Sequence, residues 1–299
     1  MKRILVSLFS ILIAIVLITP ATSFAANVYM EASRSSISVG DTIVVAVKIN
    51  AEGAIINTVD GEVATKSGIK VQEFSLANSA FGLWPRTPSL SVDGKVISFV
   101  GGVPGGFSIE GATLFNIIVE ATKEGKITLS PRNVSAYLND GKGTKAPVTL
   151  RDLVIDVSPK KANVASQNDW SNLVSTDVLP PEKFIIVLGQ DEKMYDGKIF
   201  AFFSAVDNQS GISYYEVSEN GQPAVRSGST YILKDQQGKA KLSVVAYDKA
   251  GNKREAVYSQ GPLLSGVSWG WVLVIVLAVY IIVKIIKNYR NTNKDNVAN

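Results

Sequence analysis

The stretch Thr42-Ile43-Val44-Val45-Ala46-Val47-Lys48-Ile49-Asn50 decides the class of fold. Successive side chains of an extended chain point to opposite faces, so Ile43, Val45, Val47 and Ile49 share one side. Branching at Cβ stiffens these residues and suits them to a pleated surface. An amphipathic helix would instead need apolar residues three and four apart. The stretch therefore reads as a strand whose branched face is turned to a core.

Outward from it the same period of two returns. Ile55, Asn57, Val59, Gly61 and Val63 alternate, and Ile97 shares a face with Phe99. Phe115, Ile117, Val119 and Ala121 form another row, followed by Ile127 with Leu129 and by Leu153, Ile155 and Val157. Asp93-Gly94, Glu124-Gly125 and Asp140-Gly141 punctuate these runs at short-strand spacing, and no amphipathic helix of useful length intervenes. Residues 26–158 are thus expected to form a β-sandwich. Gly101-Gly102-Val103-Pro104-Gly105-Gly106 is expected to bend beside the sheet, because glycine admits positive φ and Pro104 donates no hydrogen bond.

Residues 159–181 change character. Pro159-Lys160-Lys161, a polar run and Pro180-Pro181 read as a linker, with Trp170 expected to dock onto a neighbouring domain. Residues 182–260 return to short strands: Phe184 to Val187, Lys198 to Val206, Ser213 to Ser218, Ser229 to Leu233, Lys239 to Tyr247 and Arg254 to Tyr258. With Asn220-Gly221 as a tight turn, this is a small immunoglobulin-like sandwich. The fold class is all-β, with two β-sandwich domains.

The two ends of the sequence place the chain. Lys2-Arg3, the apolar run Ile4 to Ile18 and the small residues Ser23 and Ala25 make residues 1–25 an expected cleaved signal peptide. Gly266 to Val283 carries no charge and is followed by Lys284, Lys287 and Arg290, so 266–286 is expected to be a transmembrane helix and 287–299 a cytoplasmic tail. Trp269 and Trp271 fit an aromatic belt on the outer side. The expected location is the plasma membrane, single-pass, with an extracellular N-terminal ectodomain.

Charge and composition then exclude whole classes of function. The formal net charge is +4, but Lys2 and Arg3 carry +2 and the segment from Lys284 onward +3, leaving −1 between them. Nothing there recommends a nucleic-acid partner. The chain has no cysteine and no histidine. Disulfide staples, Ser-His-Asp and Cys-His nucleophile systems and the usual zinc sites are thereby ruled out. A carboxylate pair would still suit glycoside hydrolysis, but no spacing singles one out, and the chain is read as no enzyme.

Several consecutive stretches of the first sandwich resemble a cohesin domain, the β-sandwich that receives dockerin modules. They are Ser38-Val39-Gly40-Asp41-Thr42-Ile43-Val44-Val45, Ile56-Asn57-Thr58-Val59-Asp60-Gly61, Ser79-Ala80-Phe81-Gly82-Leu83-Trp84-Pro85, Ile97 to Phe107 and Leu138-Asn139-Asp140-Gly141-Lys142-Gly143-Thr144. They follow one another in the family's order over most of residues 28–157. The resemblance implies a jelly-roll sandwich and a dockerin-like protein partner. The fold's kinship with carbohydrate-binding modules leaves a polysaccharide as the rival ligand. Candidate contact residues are Phe81, Trp84, Arg86, Phe107, Asn139 and Asp140. Trp84 reads equally as a core plug or an exposed contact, and Asn139-Asp140-Gly141 is first of all a turn. An aromatic strip on a sheet face would favour a glycan, and a flat apolar and polar mosaic a protein.

The second sandwich resembles bacterial immunoglobulin-like or fibronectin type III-like repeats, through Val206-Asp207-Asn208-Gln209-Ser210-Gly211-Ile212 and Val245-Ala246-Tyr247-Asp248-Lys249-Ala250-Gly251-Asn252. Such modules act as spacers. No cofactor is expected. A calcium site, if built, would use Asp207 and Asp248, but the turn reading is preferred for both.

Overall fold

The computed structural model describes residues 26–160 and 162–259. The expected signal peptide, transmembrane helix and cytoplasmic tail lie outside these. Among the described residues no helix is long and apolar enough to cross a membrane.

The stretch that opened the sequence analysis is strand β3, Thr42–Asn50, with Ile43, Val45, Val47 and Ile49 fully buried. It sits in a five-stranded sheet between β1 (Ala26–Ala32) and β8 (Ala112–Ala121). The sheet's edges are β5 (Ile69–Ser75) and β11 (Val148–Leu150). A second sheet runs in the order β2 (Ser36–Ser38), β12 (Leu153–Ser158), β9 (Gly125–Leu138), β4 (Ile56–Thr65), β7 (Val96–Phe107), β6 (Leu83–Leu90), with β10 (Lys145–Ala146) beside β9. Branched and aromatic residues from both sheets fill one core, including Ile43, Ile117, Val59, Phe99, Leu129 and Ile155.

Among several bulges in the described sheets, two features depart most from the simple alternation read in the sequence. Ile55 is 53% exposed and Ile56 is buried, because a bulge at Asn57 switches the phase of the strand before Val59. The glycine-rich stretch does not leave the sheet. It belongs to β7, where Phe107 pairs with Ile56 and Gly102 with Thr58, so Val103 to Gly106 oppose Asn57 alone. The chain humps outward there, as Pro104 and the positive φ of Gly105 and Gly106 permit. A side chain at Gly106 would begin 2.6 Å from Ile55 Cγ2.

The second sandwich packs a three-stranded sheet, β13 (Ile186–Gly189), β14 (Phe200–Phe203) and β17 (Thr230–Ile232), on a four-stranded one. The latter runs β16 (Val225–Ser227), β15 (Ile212–Glu219), β18 (Leu242–Asp248), β19 (Lys253–Tyr258). Their core gathers Phe203, Tyr215, Val217, Leu242 and Val244. Asn220 and Gly221, both at positive φ, make the turn out of β15.

The segment between the sandwiches is folded. Asn168 caps a short helix, α1 (Asp169–Ser175), its side-chain oxygen accepting from Ser171 N–H at 2.9 Å. Trp170, 8% exposed, donates its indole N–H to Glu73 of β5. Lys249 of the second sandwich pairs with the same Glu73, donates to Phe74 O at 2.8 Å and lies 5.0 Å from the Trp170 ring centre. Ser75 Oγ donates to Ser210 O, and Asn78 N–H to Asp207 O. Gly211 sits so close that a Cβ would lie 2.6 Å from Ser75 Oγ. These contacts join both sandwiches and the helix at one junction.

Candidate functional site

One large face of the first sandwich is left open. Ile118 of β8 points away from the core, opposite to Ile117 and Val119, yet is only 1% exposed, so that side of the five-stranded sheet is covered near the junction. Helix α1 packs against β3 on the same sheet. Among the described residues, no hydrogen bond from the segment 159–181 or from the second sandwich reaches the outward side chains of β4, β7 and β9.

Cross-strand pairing lays that open face out in rows. One row is Arg86, Val100, Asp60, Ser135, and the next is Leu83, Gly102, Thr58, Tyr137. A third is Ser89, Ser98, Glu62, Arg132, in which Arg132 pairs with Glu62 at 2.9 Å. Lys145 closes the second row from β10, its ammonium 5.4 Å from the Tyr137 ring centre. Apolar, hydroxyl and oppositely charged groups thus alternate over one sheet face. A shallow depression of about 200 Å³ opens between Leu83, Pro85, Asn57, Thr58, Val103 and Pro104. Its floor is kept low by Gly102, where a Cβ would come within 2.7 Å of Asn57 O.

The six residues singled out in the sequence divide between this surface and the interior. Arg86 is exposed within the first row. Asn139, also exposed, donates to Gly105 O at 2.9 Å and so ties the end of β9 to the hump of β7. Asp140 is exposed in the following turn, where the Thr144 hydroxyl and the Lys142 N–H hold its carboxyl below the usual range. Phe81 and Phe107 are core residues rather than contact residues, at 3% and 8% exposure. Trp84 is half-buried, edge-on to Phe81 at 5.5 Å and to Phe115 at 6.3 Å. Its ring packs at Gly101, where a Cβ would lie 2.8 Å from it. The three rings therefore form an internal plug beneath the face and no strip upon it. Asp60, Leu83, Val100, Arg132 and Tyr137 were not singled out. Their signal was present as the polar phase of each alternating strand, but it emerges as one surface only when the register is known.

A second grouping of charge lies at the junction. Asp177, Asp207 and Asp248 are 5%, 3% and 2% exposed, and one carboxylate oxygen from each lies within 4.8 Å of the other two. Asp207 Oδ1 accepts from Gly211 N–H at 2.6 Å, Asp248 Oδ1 from Asn252 N–H at 2.8 Å, and Asp177 Oδ2 from Ser210 N–H at 3.1 Å. Burial raises the pKa of Asp207, and the charges of Asp177 and Asp248 push the same way. Among the described residues no lysine or arginine forms an ion pair with any of the three. Hard carboxylate oxygens at this separation could hold a divalent cation such as calcium. Asp207 and Asp248 lie in the two stretches for which the sequence favours a turn over a calcium site; Asp177 comes from the segment read as linker.

No family model matches the chain, and no curated protein matches it. The solved structures similar to part of it include several cohesin modules. A non-cellulosomal cohesin from the hyperthermophilic archaeon Archaeoglobus fulgidus is 17% identical over 45% of this chain and 91% of its own, with a TM-score of 0.37. The seventh ScaB type I cohesin of Pseudobacteroides cellulosolvens is 18% identical over 48% of this chain and 98% of its own, TM-score 0.38. A cohesin module from a family 33 glycoside hydrolase of Clostridium perfringens is 11% identical over 46% and 99%, TM-score 0.40.

Proposed function

We propose that the chain is a non-catalytic, membrane-anchored surface protein whose first sandwich binds a protein partner of the dockerin type through the open face of β9, β4, β7 and β6. The observation that carries this reading is the mosaic of Arg86, Val100, Asp60 and Ser135 beside Leu83, Thr58 and Tyr137. Protein interfaces combine an apolar centre with a polar rim and work by surface complementarity. With Phe81, Trp84 and Phe107 turned inward, the face lacks the aromatic row that flat glycan binding would use. The second sandwich and the folded junction hold this face in place, and the apolar segment 266–286 supplies the anchor.

The test is capture of secreted proteins by the full-length chain, with and without chelator, alongside a polysaccharide panel. Recovery of a protein carrying a paired calcium-loop module is expected. Val100→Arg, which puts a long cation at the middle of the face, should weaken capture by at least about tenfold, since a misplaced charge in an interface core costs more than ~1.4 kcal/mol. Retention on glycan alone, or capture indifferent to Val100→Arg, would refute the reading. Anchoring is checked separately: protease added to intact cells should remove the exported part.

A further inference from the structure

A cleft of about 210 Å³ lies between the two sandwiches, walled by Trp84 and Thr87 from the first and by Ser204, Ser213, Tyr214 and Ser229 from the second. Its remaining lining adds Leu76, Phe81 and Ile212 on the apolar side and contains no charged residue. Ser79 and Ser227 spend their hydroxyls on Leu114 O and Thr230 O. The hydroxyls of Thr87, Ser204, Ser213 and Ser229, all on residues that line the cleft, make no hydrogen bond to protein among the described residues, while the Tyr214 ring stacks on Tyr247 at 4.7 Å with Arg226 3.9 Å from its centre. Domain interfaces are where small-molecule sites preferentially occur, and their usual make-up is an apolar wall with a few convergent polar groups.

We propose that this cleft binds one neutral sugar ring. The argument is one of elimination by chemistry. A charged ligand would be desolvated with no opposite charge to meet it. A purely apolar ligand would displace water from the serine and threonine hydroxyls and leave them unpaired. An uncharged ring with an apolar C–H face and a rim of hydroxyls satisfies both walls, the face against aromatic and aliphatic carbon and the rim against the free hydroxyls. The volume of about 210 Å³ gives room for a single ring. Such a ligand would touch both sandwiches at once and tighten their junction.

Gly228 provides a clean control. It lines the cleft at an exposed position, its φ is not left-handed, and a Cβ there would meet nothing within 4 Å, so Gly228→Leu adds a branched side chain at the rim without strain. The experiment is saturation-transfer-difference NMR on the full-length chain, held in a detergent without a sugar headgroup, with glucose, galactose and N-acetylglucosamine as probes. Transfer to the ring C–H protons of at least one sugar is expected, weakened by Gly228→Leu at the rim. A Ser213→Ala/Ser229→Ala pair, which leaves the apolar wall intact, should weaken binding about tenfold. Absence of transfer from all three sugars overturns the proposal, and so does transfer unchanged in both variants.

Discussion

At Gly101 a single hydrogen in place of a side chain decides how the first core closes. A Cβ there would lie 2.5 Å from Phe81 Cδ2 and 2.8 Å from Trp84 Cζ3, so Gly101→Ala should overpack the aromatic plug and cost about 1–3 kcal/mol, read as a lower urea midpoint. Asp207 sets a different expectation. Its folded carboxyl holds its proton to a higher pH than the unfolded one, mainly through burial. The folded state therefore binds more protons between the ordinary carboxylate pKa of 3.8 and the raised value. From this group alone, stability is greatest below that window and falls as pH rises through it. Asp207→Asn keeps an oxygen for the Gly211 N–H and should flatten that part of the pH–stability curve, as thermal melts between pH 3 and 7 would show. The roles of Gly101 and Asp207 were hidden in the sequence, because each depends on groups far along the chain.

The strands show at the next scale how far local pattern reaches. Strand β3 follows the period of two without a fault, since one face is buried over its whole length. Strand β4 does not, and the displaced residue is Ile55, sent to the surface by the bulge at Asn57. The glycine-rich end of β7 reads as a bend beside the sheet, and it does bend, but within the sheet, paired through Gly102 and again at Phe107. Local sequence gives a glycine's freedom but not the partner strand that limits its use. Helix α1 escaped notice for the same reason, being too short to show a stripe and placed by Trp170 and Asn168. Asn168→Ala removes its cap and should cost ~1 kcal/mol of local stability. The measurement is limited proteolysis, with faster cleavage within residues 159–181 as the expected result.

Across the whole molecule the junction determines mechanical behaviour. Glu73 receives both the Trp170 indole and the Lys249 ammonium, and Ser75 and Asn78 bond to the loop that carries Asp207 and Ser210. The two sandwiches are expected to unfold in a single calorimetric transition. A Trp170→Ala/Lys249→Ala pair should split it in two and raise the radius of gyration measured by X-ray scattering, as independent domains would. One transition in the double variant, with unchanged dimensions, would contradict the coupling.

Alternation along single strands settled that the chain builds β-sandwiches, since burying one face of an extended segment needs only side chains two residues apart. The absence of histidine and cysteine settled which chemistries it lacks, because no arrangement in space can supply a missing group. Which face stays open, where the uncharged cleft lies between the two sandwiches, and how Asp177 joins Asp207 and Asp248 were decided by tertiary structure alone. Those features depend on register and on contacts between segments more than a hundred residues apart in some cases, as Ser75 and Ser210 are, and no local window carries that information.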